Sequence, residues 1–227
     1  QASAQSYEQL VSTGRAQGAI NADPALLARV RTIANRLIPQ VAVFRPDAVN
    51  WNWEINVMTT PEVNAWCMAG GKIMVYSGLV DKLHLSDAEL AAVLGHEIGH
   101  ALREHTREKV SNALGTQLLL AGVAAATNAS DNTMQLANVV SQVTFTLPNS
   151  REMETEADHI GLELMARAGY DPHAALTLFQ KMAQVSGNDG LAFLSTHPQS
   201  EERAKDLAAR LPIVMPLYQA ASKSASQ

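Results

Sequence analysis

His96-Glu97-Ile98-Gly99-His100 sits inside a segment that opens as a helix. Ser86-Asp87-Ala88-Glu89 puts Ser at the N-cap and Glu three residues on, a capping box, and predicts a helix from Ser86 to about Lys109. Side chains four positions apart on a helix are rotated only about 40° from one another, so both imidazoles can reach one metal ion. Glu97 lies about 100° round from His96, close enough to hold a water beside that ion without ligating it. The fold must then bring a further ligand against this face, because a tetrahedral catalytic zinc takes three protein ligands and leaves its fourth position open.

The segment Ser150 to Ala168 supplies that ligand. Glu152, Glu156, His159, Glu163 and Arg167 share one helical face, and Ala157, Gly161, Leu164, Met165 and Ala168 the opposite one. Glu154 and Asp158 fall on the apolar side, where burial of carboxylates without partners costs several kcal/mol. Glu154 as a zinc ligand, with Asp158 one turn on accepting a ring N–H from a ligand histidine, accounts for both. The alternative is buried ion pairing, to Arg151 or to an arginine of a packed helix.

The remaining histidines divide by position. His105, nine residues after His96 and about 180° round a continuous helix, is expected to miss the metal and make a structural hydrogen bond. His84 and His173 stand beside helix starts and read as surface residues. His197, in Leu194-Ser195-Thr196-His197-Pro198, has two readings. It is a cap or turn residue, or it faces the metal, as a donor to a developing oxyanion or as a reversible fourth ligand that keeps the site latent. Cys67, between Trp66 and Met68, reads as a buried packing thiol rather than a ligand, and Trp51, Trp53 and Trp66 as sheet core.

Composition narrows the function classes. Of 227 residues, 47% are hydrophobic and 17% charged, enough to bury a core and unlike a disordered chain. One domain over 1–227 is expected, with its core at about 20–210 and flexible ends at Gln1–Gln5 and Gln219–Gln227. A net charge of -5 with the signs mixed along the chain argues against nucleic acid as a partner. A single cysteine excludes an internal disulfide and a Cys-rich zinc ribbon. The longest weakly polar run, Ala113 to Thr127, falls short of the roughly 20 apolar residues that span a bilayer. Leu114 to Ala126 reads as packed core, with a membrane or subunit contact as the alternative. The chain opens at Gln1 rather than Met, which points to a removed leader or a chosen start.

Upstream of the histidine helix, Asp23-Pro24 starts a helix that runs to about Ile38, where Pro39 stops it. Trp51 to Met58 alternates apolar and polar residues as a half-buried strand. Gly70-Gly71 turns between two strand-like runs, Asn64 to Met68 and Lys72 to Tyr76. Further helices are expected at about Ser111 to Ala126, Thr133 to Phe145, Ser150 to Ala168, Pro172 to Val185 and Ser200 to Ala209. The class is α+β, mostly helical, with a small, mainly antiparallel sheet.

Asn64-Ala65-Trp66, Gly70-Gly71-Lys72-Ile73, Gly78-Leu79, His96-Glu97-Ile98-Gly99-His100, Ser150-Arg151 with Glu154, Ala157-Asp158 and Gly161, then Thr196-His197-Pro198 form a set. Together they resemble the HtpX and CAAX prenyl endopeptidase family of gluzincin metallopeptidases, over about residues 20–210. The resemblance implies a zincin-like metallopeptidase domain built on an HExxH active-site helix. It implies one zinc ion per chain on His96, His100 and Glu154, with Glu97 as catalytic base and Asp158 behind a ligand. It is similar to the soluble or lipid-anchored periplasmic branch, which implies a place in the periplasm and substrates among misfolded or unassembled envelope proteins. Attachment to the outer membrane and peripheral membrane association stay open. Ala69 stands where that family has Pro before the double Gly, which loosens the loop, and no tetratricopeptide-like array follows. Substrate is expected as an extended strand against an edge formed by Lys72, Ile73, Met74, Val75 and Tyr76, because main-chain pairing recognises any unfolded peptide. Two other readings stand beside the peptidase: a zinc-containing chaperone or assembly factor with a masked site, and a hydrolase of non-peptide amides. Glu97 favours hydrolysis, since a structural zinc needs no carboxylate beside it.

Overall fold

A computed structural model describes residues 2–121, 143, 147–185 and 192–224, without side-chain detail for 2–6, 114–121 and 224. The expectations for the side chains of Leu114 to Ala126 and for a helix at Thr133 to Phe145 lie outside the described residues, Val143 apart. In chain order the elements are α1 (Ala2–Ala16), α2 (Pro24–Leu37), β1 (Glu54–Met58), β2 (Ala65–Met68), β3 (Lys72–Tyr76), α3 (Ser77–Leu83), α4 (Asp87–Leu102), α5 (His105–Ala121), α6 (Arg151–Arg167), α7 (Ala174–Val185), α8 (Ala192–Thr196) and α9 (Glu201–Ser224). The chain is mostly helix with a small sheet, as its sequence predicts.

The Asp23 carboxylate accepts the N–H groups of Ala25 and Leu26 at 2.9 and 3.0 Å, which starts α2. Pro39 ends the α-helix, and the chain continues through 3-10 turns at Ile38–Val43 and Pro46–Asn50. These turns hold the residues before β1, so the strand begins at Glu54 rather than Trp51. Trp51 and Trp53 pack against the core from outside the strand, and the Trp53 indole N–H donates to the Ala48 carbonyl at 2.9 Å.

The sheet is mixed, with order β1-β3-β2. β2 and β3 form the expected antiparallel hairpin, with Gly70 and Gly71 both at positive φ in its turn. β1, however, pairs parallel to β3. The residues between Met58 and Ala65 carry the chain past the end of β3 to the far side, leaving the gap that β3 fills. The expectations of a mainly antiparallel sheet and of an edge at Lys72, Ile73, Met74, Val75 and Tyr76 are both corrected by this order. That segment is the central strand, its main chain engaged on both sides, and among the described residues the edge strands are β1, whose outer side carries an isolated bridge from Ile20 to Met58, and β2.

Alternation along the strands divides the core. Ile55, Val57, Ala65, Cys67, Ile73 and Val75 face the main helical layer. Trp66, Met68, Met74 and Tyr76 face Tyr7 and Val11 of α1. In that helical layer α4 makes its most extensive contact with α6. Three glycines permit it: a Cβ on Gly161 would lie 2.6 Å from the backbone nitrogen of His96, one on Gly95 would lie 2.8 Å from the Gly161 carbonyl, and one on Gly99 would lie 3.0 Å from the Ala157 carbonyl. Small residues at the crossing bring the two helix backbones together, and with them the residues they carry.

Candidate metal centre

The capping box of α4 is present: the Ser86 hydroxyl accepts the Glu89 N–H at 3.3 Å, and the Glu89 carboxylate accepts the Ser86 N–H at 2.8 Å. Buried Glu89 also takes Thr177 at 2.9 Å and Lys181 at 2.7 Å, tying the start of α4 to α7. The helix stops at Leu102 rather than Lys109, because Glu104 turns the chain at φ 56°.

His96 and His100 project from one face of α4 with their Nε2 atoms 3.0 Å apart. Glu154, from the first turn of α6, lies 3.5 Å from His96 Nε2 through Oε2 and 3.2 Å from His100 Nε2 through Oε1. His197 follows α8 directly, its ring centroid 5.3 Å from that of His96 and 5.2 Å from that of His100. One ligand atom from each of His96, His100, Glu154 and His197 falls within 4.8 Å of all the others, and all four residues are buried. Glu97 points alongside, with Oε1 3.5 Å from His197 Nε2.

The surroundings settle which atoms point inward. His96 Nδ1 lies 3.0 Å from the Asp158 carboxylate, an acceptor, so a proton sits there and Nε2, which faces Glu154, is the nitrogen left to bind an ion. His197 Nδ1 lies 3.1 Å from the Phe193 carbonyl, and the Phe193 ring stacks on the imidazole at 4.4 Å, so its Nε2 lone pair is also turned inward. Glu154 Oε1 accepts the Asn149 amide at 2.6 Å. Lone pairs and a carboxylate converging on one buried point fit a divalent cation by donor type and number. Buried Glu97 Oε1 takes no hydrogen bond among the described residues, which fits a carboxylate that serves a water or substrate there.

Electrostatics follow the burial. Burial pushes the Glu97 carboxyl up to about 8, with Glu154 adding to it. It drives His100 and His197 well below the usual imidazole range, so both rest neutral, the form that ligates. For His96 burial acts downward, but Glu154 and Asp158 outweigh it and raise its pKa. Burial would raise Asp158, yet its bonds to His96 and Arg203 draw it down to about 2.

Arg203, near the start of α9, is buried and was not singled out by the sequence analysis. Its guanidinium binds both Asp158 oxygens at 2.7 and 2.8 Å, Glu154 Oε2 at 2.6 Å and the Pro198 carbonyl at 2.6 Å. The arginine of a packed helix, offered above as an alternative to ligation, thus accompanies the imidazole contacts rather than replacing them. Asn149 was also missed. Its amide oxygen accepts Lys109 Nζ at 2.9 Å, and its backbone N–H donates to the Thr196 carbonyl at 2.9 Å. His105 does not join the cluster, in keeping with the sequence, and instead meets the outer face of His100. His84 and His173 are exposed, and Cys67 is buried against the core, its thiol pushed well up by burial.

A family model described as Peptidase family M48 matches residues 24–211. The chain belongs to that family. It is 42% identical over 160 residues to the mitochondrial metalloendopeptidase OMA1 of Arabidopsis thaliana, covering 69% of this chain and 31% of that one. It is 33% identical over 185 residues to the metalloprotease LoiP of Escherichia coli, covering 81% and 69%. It is 27% identical over 213 residues to the beta-barrel assembly-enhancing protease of Escherichia coli, covering 86% and 41%. The chain spans 31 to 49% of the length of the OMA1 relatives from Arabidopsis thaliana, Schizosaccharomyces pombe and Saccharomyces cerevisiae. The HtpX and CAAX prenyl endopeptidase label drawn from the motifs is a neighbouring assignment within M48.

Proposed function

We propose that this M48 protein is a zinc-dependent endopeptidase that cleaves misfolded or unassembled proteins of the bacterial envelope. The observation that carries the reading is the convergence of His96, His100 and Glu154 on one buried point, with Glu97 beside it, whose Oε1 takes no hydrogen bond among the described residues. Those three residues would hold the ion, and two imidazoles with one carboxylate are a catalytic zinc set. When bound, zinc supplies Lewis acidity that polarises the scissile carbonyl and acidifies a water. Glu97 takes the proton of the attacking water and returns it to the leaving amine. Asp158 and Arg203 hold the ring of His96 and the carboxylate of Glu154 through both steps.

Substrate would pair its main chain with β2, whose approach Phe193 already uses by donating its N–H to the Val63 carbonyl at 3.1 Å. A recess of about 40 Å³ beside His96 and His197, lined by Val93, Leu162, Met165, Leu178, Met182 and Phe193, would take an apolar side chain next to the cleaved bond. Unfolded proteins expose such side chains in extended backbone, which supports a quality-control substrate. The envelope is proposed from the resemblance to the periplasmic branch and from the beta-barrel assembly-enhancing relative, while another relative is named as mitochondrial. No helix among the described residues is long and apolar enough to cross a membrane.

His197 favours a latent resting state. Its imidazole is close enough to take the fourth place of the set, and there substrate and water would need it to withdraw. The deciding experiment compares casein cleavage by zinc-loaded wild type and Glu97→Gln, purified identically. Cleavage should fall by about 10²–10⁴-fold or more in Glu97→Gln while zinc stays bound. Cleavage kept by Glu97→Gln would overturn the peptidase assignment. Silence in both moves the test to His197→Ala, which should release activity if the site is latent. Suppression of client aggregation with no cleavage by any variant would favour the chaperone reading.

A further inference from the structure

We infer that His105 is a positioning residue for the ring of His100, the middle member of a relay that runs from His100 through His105 to Glu156. The inference rests on the reading of His100 as a metal ligand. In an unbroken helix a residue five positions on would be turned about 140° away. Here α4 ends at Leu102 and Glu104 adopts φ 56°, held by Arg45, which donates to the Glu104 carboxylate at 2.8 Å and to the Leu102 carbonyl at 3.3 Å. The reversal folds His105 back beneath the last turn of α4. Its Nδ1 comes 2.8 Å from Nδ1 of His100, and its Nε2 comes 3.1 Å from Glu156 Oε2.

With an ion on the inward nitrogens, one proton arrangement of the neutral rings satisfies every contact. His100 Nε2 faces His96 Nε2 at 3.0 Å and Glu154 at 3.2 Å, so it is the atom that offers a lone pair inward. The proton of His100 then rests on Nδ1 and donates to Nδ1 of His105. His105 in turn carries its proton on Nε2 and donates to the Glu156 carboxylate, which the Arg103 guanidinium fixes from outside. Reversing the protons would set a lone pair of His105 against that carboxylate.

The other two histidines of the cluster have an acceptor directly on Nδ1, the Asp158 carboxylate for His96 and the Phe193 carbonyl for His197. His100 reaches its carboxylate through a second imidazole. His105 is 3% exposed, and Glu156 lies on α6 two residues beyond Glu154. The relay therefore also joins the turn after α4 to the helix that brings the carboxylate ligand. It fixes the tautomer and tilt of His100 and makes its inward nitrogen a stronger donor.

The test measures zinc affinity by competition with a chromogenic chelator and follows the His100 Nδ1–H by nitrogen-15 NMR. Melting of the metal-free protein controls for folding. His105→Phe keeps a ring and loses both nitrogens, so zinc affinity should fall about 10–100-fold. His105→Asn, which returns an acceptor near Nδ1, should recover part of the loss, and Glu156→Gln should weaken binding less than His105→Phe. Unchanged zinc affinity in His105→Phe would overturn the proposal. If that variant does not fold, Glu156→Gln decides, because Glu156 is partly exposed: unchanged affinity together with an unchanged His100 Nδ1–H signal overturns the relay. A wild type that binds no zinc, or His100→Ala with undiminished affinity, would instead fail the metal site itself.

Discussion

Arg203 neutralises Asp158 and Glu154 with one guanidinium and holds the Pro198 carbonyl with the same group. Removal of one partner of a buried ion pair leaves the other charged and desolvated, at about 3–5 kcal/mol. Arg203→Met should lower the urea-unfolding free energy of the metal-free protein by roughly that amount, and Arg203→Lys by less. Equal stability of wild type and Arg203→Met would mean that the two carboxylates find other partners. Glu97 has the opposite sense. Its pKa in the folded, metal-free protein is about 8 against an ordinary 4.5, so between those values the folded state binds a proton that the unfolded chain releases. Stability should therefore decline as pH rises through that window, and Glu97→Gln should lack that share of the decline. Melting temperatures of chelator-stripped protein across the window test this, and parallel curves for the two proteins would refute it. Glu154 and Asp158 were legible in the sequence because carboxylates on an apolar helix face demand an explanation. Arg203 gave the same signal, lying in register with buried Leu207 and Leu211 one and two turns on, and was overlooked. Asn149 and Lys109 carry no comparable mark, since their roles depend on contacts between distant segments.

Helix α4 reaches α6 closely enough to share a site only where side chains are missing. At Gly161 an added methyl would press on the backbone nitrogen of His96 at 2.6 Å, and backbone cannot yield as a flexible side chain does. Gly161→Ala should cost about 1–3 kcal/mol of stability and, by pushing the helices apart, weaken zinc binding as well. Gly99→Ala, facing the Ala157 carbonyl at 3.0 Å, should do the same more mildly. Chemical denaturation and chelator competition on both variants give the ranking, and a Gly99 variant more damaged than the Gly161 variant would contradict it. The helices themselves were readable from their local signals, Asp23-Pro24 for α2 and the capping box for α4. The end of α4 was not, because Arg103 to Lys109 contains no Gly or Pro to mark a stop, while the turn is fixed by Arg45 from another part of the chain. Nor was strand order, since alternation specifies faces and leaves neighbours undetermined, which is why β3 was expected at an edge. Helix α1 was missed too. Its Tyr7 and Val11 gain their meaning from the second face of the sheet, where Tyr7 accepts the Asn56 amide at 2.6 Å.

At the scale of the whole molecule, the four residues of the cluster come from α4, from α6 and from the stretch after α8, so an ion held there would cross-link three separate parts of the chain. Binding to the folded state alone adds stability of about 4 kcal/mol when free zinc exceeds its dissociation constant a thousandfold. Chelation should therefore lower the melting temperature, and an unchanged melting temperature would argue against the site. His197 makes the prediction local. The stretch around it is tied by Phe193 to the Val63 carbonyl, by Thr196 to the Asn149 N–H and by Pro198 to Arg203. Those bonds persist without an ion, whereas a bond from His197 to zinc does not. If His197 takes the fourth place, removal of zinc should speed amide hydrogen exchange at 193–197, and in His197→Ala the exchange there should no longer respond to zinc. A zinc response of equal size in wild type and His197→Ala would mean that this stretch is held by its own hydrogen bonds alone, and His197 would then have no part in keeping the site latent.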